Sequence, residues 1–308
     1  MKKIVPFVFL FLIISLISQT AFSQYKTDKK LEKQLKELID SFHGTAGIYV
    51  RNLKTGKEVA INADTIFPTA SIIKIPILVG IFDKIEKGIF TYHQSMMYRD
   101  SASRGGSGLM QYFKDSVEVE LNTAVTLMIS HSDNTAAVWC EKLAGGGVTI
   151  NSWLQDHGFQ FTRVNARTPG RESYDKQFGW GQTTPREMAN LLVMIRDGKA
   201  VSPAASERMY RDLTHIFWDE YALSQIPPYV QAASKQGMVD ASRSEAVLVN
   251  APHGDYVFYI ATKNNKDKRW KPDNEAWQLA RNVSSLLWNY FEPHSGWKPA
   301  AGVEKYRY

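Results

Sequence analysis

Four Ser-x-x-Lys pairs occur in the 308-residue sequence, Ser23/Lys26, Ser71/Lys74, Ser173/Lys176 and Ser295/Lys298, and they are not equivalent. Only Ser71/Lys74, within Phe67-Pro68-Thr69-Ala70-Ser71-Ile72-Ile73-Lys74, opens an apolar helix. A serine in a first helical turn lies near free backbone N–H groups and the positive helix end, which favour negative charge developing beside its hydroxyl. Lys74, three residues on, falls on the same face. A lysine kept dry there can lose its proton and serve as base for the hydroxyl. Taken alone, the motif describes a helix cap with an exposed lysine equally well.

Other chemistries find little support. The seven histidines form no His-x-x-x-His or Glu-x-x-His pair, so a helix-borne metal site is not expected. Gly105-Gly106-Ser107-Gly108 is followed neither by Lys-Ser/Thr nor by a third dinucleotide glycine, and Leu109 excludes Gly-x-Ser-x-Gly. The single cysteine, Cys140, sits in the apolar stretch AAVWCEKLA and reads as a buried hydrophobe. No cofactor is implied.

Two further groups accompany Ser71/Lys74: Ser132-Asp133-Asn134, followed by Thr135-Ala136-Ala137, and Lys235-Gln236-Gly237 in a strand. In order and spacing the three resemble the class A serine β-lactamases and their penicillin-binding relatives, over nearly the whole chain after its leader. The resemblance implies that Ser71 is acylated, that Lys74 accepts a proton and that Ser132 passes one to the leaving nitrogen. It implies that Asn134 bonds the substrate's side-chain amide and that Lys235 supplies positive charge near a substrate carboxylate. Gly237 would let substrate backbone approach the strand, and the N–H of Met238 would join that of Ser71 in an oxyanion hole. Arg243, on the next strand, is a second candidate carboxylate anchor, or a surface arginine.

The chain departs from that family pattern twice. Gln236 stands where the family has Ser or Thr, whose hydroxyl helps bind the carboxylate. In the loop between Thr162-Arg163 and Thr183-Thr184-Pro185, the family's water-holding glutamate falls on Thr168 and its asparagine on Glu172. Glu172 is therefore the expected deacylating carboxylate, against the alternative of an exposed Arg171-Glu172 pair in an inert loop. Three functions stay open: a β-lactamase, a D-alanyl peptidase acting on peptidoglycan stem peptides and releasing β-lactams slowly, and a silent cell-wall binding relative. Each expects a small-molecule or peptide ligand and a monomer.

The elements that must position these groups read as helix, strands, a long helical block, strands, helix. Leu31, Leu35, Leu38, Ile39 and Phe42 make an amphipathic helix, and Thr45–Val50 and Glu58–Asn62 two strands around a tight turn. Helices are expected at Ile72–Lys87, Asn122–His131, Thr135–Ala144, Ile150–His157, Pro185–Asp197 and Pro203–His215, strands at Val230–Gln236, Glu245–Asn250 and Tyr256–Thr262, and a last helix at Asn274–Phe291. The fold class is α+β: an antiparallel sheet flanked by the terminal helices, with a large helical lobe (about 68–226) inserted into an α/β lobe (about 27–66 and 228–292). Residues 24–308 are expected to form one catalytic domain.

Composition fits a globular chain, 44% hydrophobic and 22% charged. The formal net charge of +6 falls when Lys2 and Lys3 are cleaved, and the basic stretch Lys263–Lys271 is diluted by Asn and Asp, so nucleic acid is not an expected partner. Lys2-Lys3, an apolar run from Ile4 to Ile17 and Ala21-Phe22-Ser23 read as a signal peptide cleaved after about Ser23. Its apolar run of about 14 residues is short of the roughly 18 that span a bilayer, so a periplasmic or secreted protein without a stable membrane anchor is expected.

Overall fold

The main sheet has five antiparallel strands in the spatial order Glu58–Ile61, Thr45–Asn52, Tyr256–Lys263, Ser242–Val249, Ala232–Val239. This computed structural model describes residues 25–306, and the leader read at residues 1–23 lies outside them. The helices are α1 (Lys29–Ile39), α2 (Lys74–Glu86), α3 (Leu121–Ser130), α4 (Asn134–Leu143), α5 (Gly146–Asp156), α6 (Glu172–Phe178), α7 (Pro185–Arg196), α8 (Pro203–Leu213) and α9 (Glu275–Phe291). Because Thr45–Asn52 pairs with Tyr256–Lys263, the two ends of the chain close one sheet and the helical block is inserted between them.

Strand periodicity sorts the core into two layers. Ile48, Val50, Val247, Val249, Phe258 and Ile260 pack with Leu31 and Leu35 of α1 and Val283, Leu287 and Trp288 of α9. Their strand neighbours Tyr49, Ala246, Leu248, Val257, Tyr259 and Ala261 belong to the larger core, with Met188, Leu191 and Leu192 of α7. Both faces are covered, which is why Ser242–Val249 is buried along its whole length. In the helical lobe α2 is buried at every position from Lys74 to Phe82, the pattern of a central helix.

The α+β architecture is as expected. The sequence reading did not anticipate α6, the hairpin of Ser95–Met97 with Glu118–Glu120, or the two-residue turn Asp240-Ala241 that joins Ala232–Val239 to Ser242–Val249. Helix α5 starts four residues earlier than expected, because Gly145, in the left-handed region, precedes it directly.

Candidate active site

Ser71 lies in a 3-10 turn, Ala70–Ile73, that runs straight into α2 at Lys74. Three residues per turn eclipse positions i and i+3, so this geometry aligns Ser71 with Lys74 more closely than an α-turn would. Ala70, just before Ser71, has φ 44°. A non-glycine residue there costs on the order of 1–3 kcal/mol and persists only where its surroundings hold it. Thr69 N donates to Gly181 O at 3.0 Å on one side. On the other lies Gly237, where a Cβ would stand 2.2 Å from Thr69 O and 2.8 Å from Ile72 N. Gly237 also lines the cleft beside Ser71, so its missing side chain serves a second need beyond the expected substrate approach: it lets the chain's own Ser71 turn pack against the strand.

Lys74 and Lys235 are both fully buried, and both reach one hydroxyl. Lys74 Nζ donates to Ser132 Oγ at 3.2 Å and Lys235 Nζ at 2.9 Å. Lys74 also donates to Ser132 O (2.5 Å) and Asn134 Oδ1 (2.8 Å), and Lys235 to Gln236 O (3.0 Å). Burial, reinforced by the charge of Lys235, holds Lys74 well below the usual lysine range. Burial also brings Lys235 down to about 7, against the pull of Glu245. Each ammonium keeps hydrogen-bond acceptors but has lost water, which favours the neutral amine.

Ser132 itself has φ 53°. The next residue, Asp133, caps α4: its Oδ1 accepts from Ala136 N at 2.8 Å, while Oδ2 accepts from Leu109 N and Met110 N at 2.6 and 2.7 Å. That grip requires Gly108, with φ 113° and a position where a Cβ would meet Asp133 at 2.3 Å. The glycine-rich loop therefore belongs to the site as packing rather than as a phosphate cradle. Asn134 is committed on both ends, Oδ1 to Lys74 and Nδ2 to Gly105 O at 3.0 Å.

A two-limbed cleft opens at Ser71. One limb, about 570 Å3, runs past Asn134, Phe178, Trp180, Met238 and Val239; the other, about 480 Å3, past Ser132, Trp218, Tyr221, Gln236, Trp270 and Trp277. Ser71, Asn134 and Met238 line both. Gln236 Oε1 lies 3.3 Å from Lys235 Nζ, so its NH2 end is what it can offer a ligand. Behind the strand, Glu245 accepts from Ala222 N and Ser234 Oγ at 2.7 and 2.9 Å, yet burial raises it to about 7.

Arg243 does not line either limb. It is 3% exposed, its guanidinium carbon lies 4.5 Å from the Trp270 ring centre and 5.2 Å from that of Trp277, and Nε and Nη2 have no hydrogen-bond partner. The guanidinium is in cation–π contact with two indoles that line the cleft, and so can act on a ligand there by holding them. Cys140 is buried, its thiol raised to about 12 by desolvation.

The loop between Thr162 and Thr184 is tied at its base by Thr162 Oγ1 to Thr183 Oγ1 (2.7 Å) and by Glu187, which accepts from the backbone of 160–162. Its interior does not follow the sequence reading. Glu172 is exposed at the start of α6, and its carboxylate turns back to accept from Gly170 N at 3.0 Å; its own backbone N–H, and then that of Gly170, hold it below the ordinary range. Thr168 is buried against Gly147 of α5. Among the described residues lining the two limbs there is no Asp or Glu. Beside Lys74 stands Trp180, its ring centre 5.5 Å from Nζ and its Nε1 bonded to Glu141 at 2.8 Å. Trp180, Trp218, Trp270 and Trp277 carry no spacing that would reveal them as cleft residues; they come from two loops, a strand flank and a helix.

The Beta-lactamase enzyme family model matches residues 30–291. Beta-lactamase VEB-1 of Pseudomonas aeruginosa is 22% identical over 92% of this chain and 97% of its own, and a β-lactamase of Streptomyces lavendulae is 25% identical over 64% and 65%. A solved structure described as PBP-A superposes with a TM-score of 0.77 at 27% identity, covering 87% of this chain and 98% of that one. An ancestral class A β-lactamase superposes with a TM-score of 0.73 at 22% identity, covering 85% and 100%. With the model spanning most of the chain and the three motif groups meeting at one cleft, this protein belongs to the β-lactamase enzyme family.

Proposed function

We propose that this β-lactamase-like serine hydrolase takes the amide of a β-lactam, or of a D-alanyl peptide, onto Ser71 and releases the acyl group slowly. The observation that carries the reading is the pair of dry lysines sharing the Ser132 hydroxyl, in a cleft whose wall beside Lys74 is Trp180 instead of a carboxylate. Neutral Lys74 takes the Ser71 proton as Oγ adds to the carbonyl carbon, with the N–H groups of Ser71 and Met238 facing the oxyanion. The C–N bond then breaks. The leaving nitrogen receives the Ser132 proton, and Ser132 regains one from Lys74, which leaves the ester and restores the lysine. Lys235 and the Gln236 amide hold the substrate carboxylate.

Among the described residues the cleft lining offers no carboxylate to orient a water, which favours a long-lived ester. Part of the PBP-A likeness points the same way: one superposed structure, at 27% identity, is described as an acyl-enzyme complex of a PBP-A mutant with penicillin G. A faster, true β-lactamase is the second reading, favoured by the names of the curated relatives. The leader at residues 1–23 supports action outside the cytoplasm.

Intact-mass measurement with penicillin G, alongside chromogenic cephalosporin turnover, tests this on wild type and Ser71→Ala. A persistent adduct lost in Ser71→Ala, without steady turnover, is expected. Steady turnover selects the second reading. Labelling of Ser71→Ala equal to wild type refutes both.

A further inference from the structure

Helix α4 presents two functional positions one heptad apart. Asn134 accepts from Lys74, and Glu141, two turns on and so on the same face, is a buried carboxylate that accepts from Trp180 Nε1 at 2.8 Å and from Arg167 Nη2 at 2.5 Å. Arg167 has φ 58°, and its guanidinium carbon lies 5.1 Å from the Trp180 ring centre. The indole is thus held by a hydrogen bond at one edge and by a cation against its ring, and the carboxylate that holds it is itself neutralised by an ion pair. What this clamp fixes is a ring 5.5 Å from Lys74 Nζ in the limb of the cleft that also holds Ser71.

We propose that Trp180, clamped by Glu141 and Arg167, is a positioning residue that keeps Lys74 dry and denies water the approach to an acyl group on Ser71, so that it sets the lifetime of the acyl-enzyme. The inference rests on the acylation reading above. Hydrolysis requires a water to add to the ester carbonyl and give one proton to the Lys74 amine. The C–Oγ bond then breaks, and Ser71 Oγ takes that proton back. Lys74 has three protein acceptors on its polar side and the indole on another, so on this proposal the ring occupies the approach that this water would take to the amine. A smaller side chain opens the space and also lets water solvate the ammonium.

Trp180→Ala, Trp180→Leu and Trp180→Phe test this on the full chain. The adduct half-life with penicillin G is read by intact mass, and the pH dependence of acylation by fluorescent-penicillin labelling. The expected order of half-life is Trp, Phe, Leu, Ala, with at least a tenfold loss at Ala and near wild-type behaviour at Phe. The acidic limb of the acylation profile moves to higher pH in Trp180→Ala, because a solvated Lys74 holds its proton more strongly. A generally loosened fold would not shift that limb, and rescue by Phe guards against it. If the wild-type adduct persists while the Ala and Leu variants match it in half-life and limb, the inference is overturned and the acylation reading stands. A wild-type protein that forms no adduct overturns both.

Discussion

Replacing Lys235 by arginine separates charge from titration at the site. Lys74 must be neutral to take the Ser71 proton, and Lys235 must be charged to hold an anionic substrate, although both reach the same Ser132 hydroxyl. Desolvation, with the charge of Lys235, holds Lys74 well below the usual range, whereas Lys235 falls to about 7. Lys74 feels the Lys235 charge on top of its burial, whereas Glu245 partly holds Lys235 up, so raising the pH is expected first to free Lys74 as a base and then to discharge Lys235. Acylation is expected to be bell-shaped, with the alkaline limb belonging to Lys235. If the rate follows the charged fraction, it passes from one half near pH 7 to about one part in a hundred two units higher, a fall of about 50-fold. A guanidinium stays charged throughout. Lys235→Arg should keep the acidic limb and lose the alkaline one, on a lower plateau, because a planar fork does not reproduce the bonds to Ser132 Oγ and Gln236 O. The assay is the rate of fluorescent-penicillin labelling at constant ionic strength, with each sample returned to neutral pH to show that it remains folded. An alkaline limb at the same place in both proteins would assign it to another group and refute the reasoning.

Two other substitutions probe what the structure adds to the sequence reading. Gly237→Ala puts a methyl 2.2 Å from the Thr69 carbonyl, where the neighbour is backbone and cannot swing aside. It should destabilise by about 1–3 kcal/mol, seen as a lower melting temperature, and cut Ser71 labelling at temperatures where the protein is still folded; a melting temperature and labelling equal to wild type would refute the packing role. Glu172→Gln should leave the adduct half-life within about twofold, since the carboxylate is exposed and bonded to its own loop. A tenfold longer half-life would restore Glu172 to deacylation.

What was legible in the sequence, and what was not, follows from how each residue acts. Ser71, Lys74 and Lys235 sit in regular elements, where spacing translates into direction, and Ser132 in the short link just before the cap of α4; the structure brings the four together. The sheet was legible because covered faces leave apolar runs bounded by turns, in most of Tyr256–Lys263 and in the second half of Ser242–Val249. Glu172 was misplaced because the loop from 162 to 184 is not periodic: it turns at Arg167 and Gly170, both with positive φ, so counting residues from Thr162 does not predict which side chain faces Ser71. Arg243 was misplaced because strand alternation gives a face of the sheet but not what covers it, and Trp270 and Trp277 arrive from distant parts of the chain. Asp133 was visible as part of a motif, but its actual work, pinning Leu109 and Met110, depends on a loop whose glycine content had suggested no role.

The same dryness that makes Lys74 a base works against hydrolysis. Burial and a second cation across Ser132 both pull Lys74 toward the neutral amine, and the Trp180 ring stands against it. A site that must also deacylate has to admit one water and orient it, which calls for a carboxylate able to compete with the amine for that molecule. Glu141 is a buried carboxylate bonded to the indole, and its Oε2 accepts from both Trp180 and Arg167, so on the proposed reading it orients the ring and not a water. On the proposed reading, then, fast acylation and slow release are not two separate properties of this cleft. They are consequences of one choice, an aromatic wall where an acid would stand, and removing the wall should speed release only by also making Lys74 a weaker base at low pH.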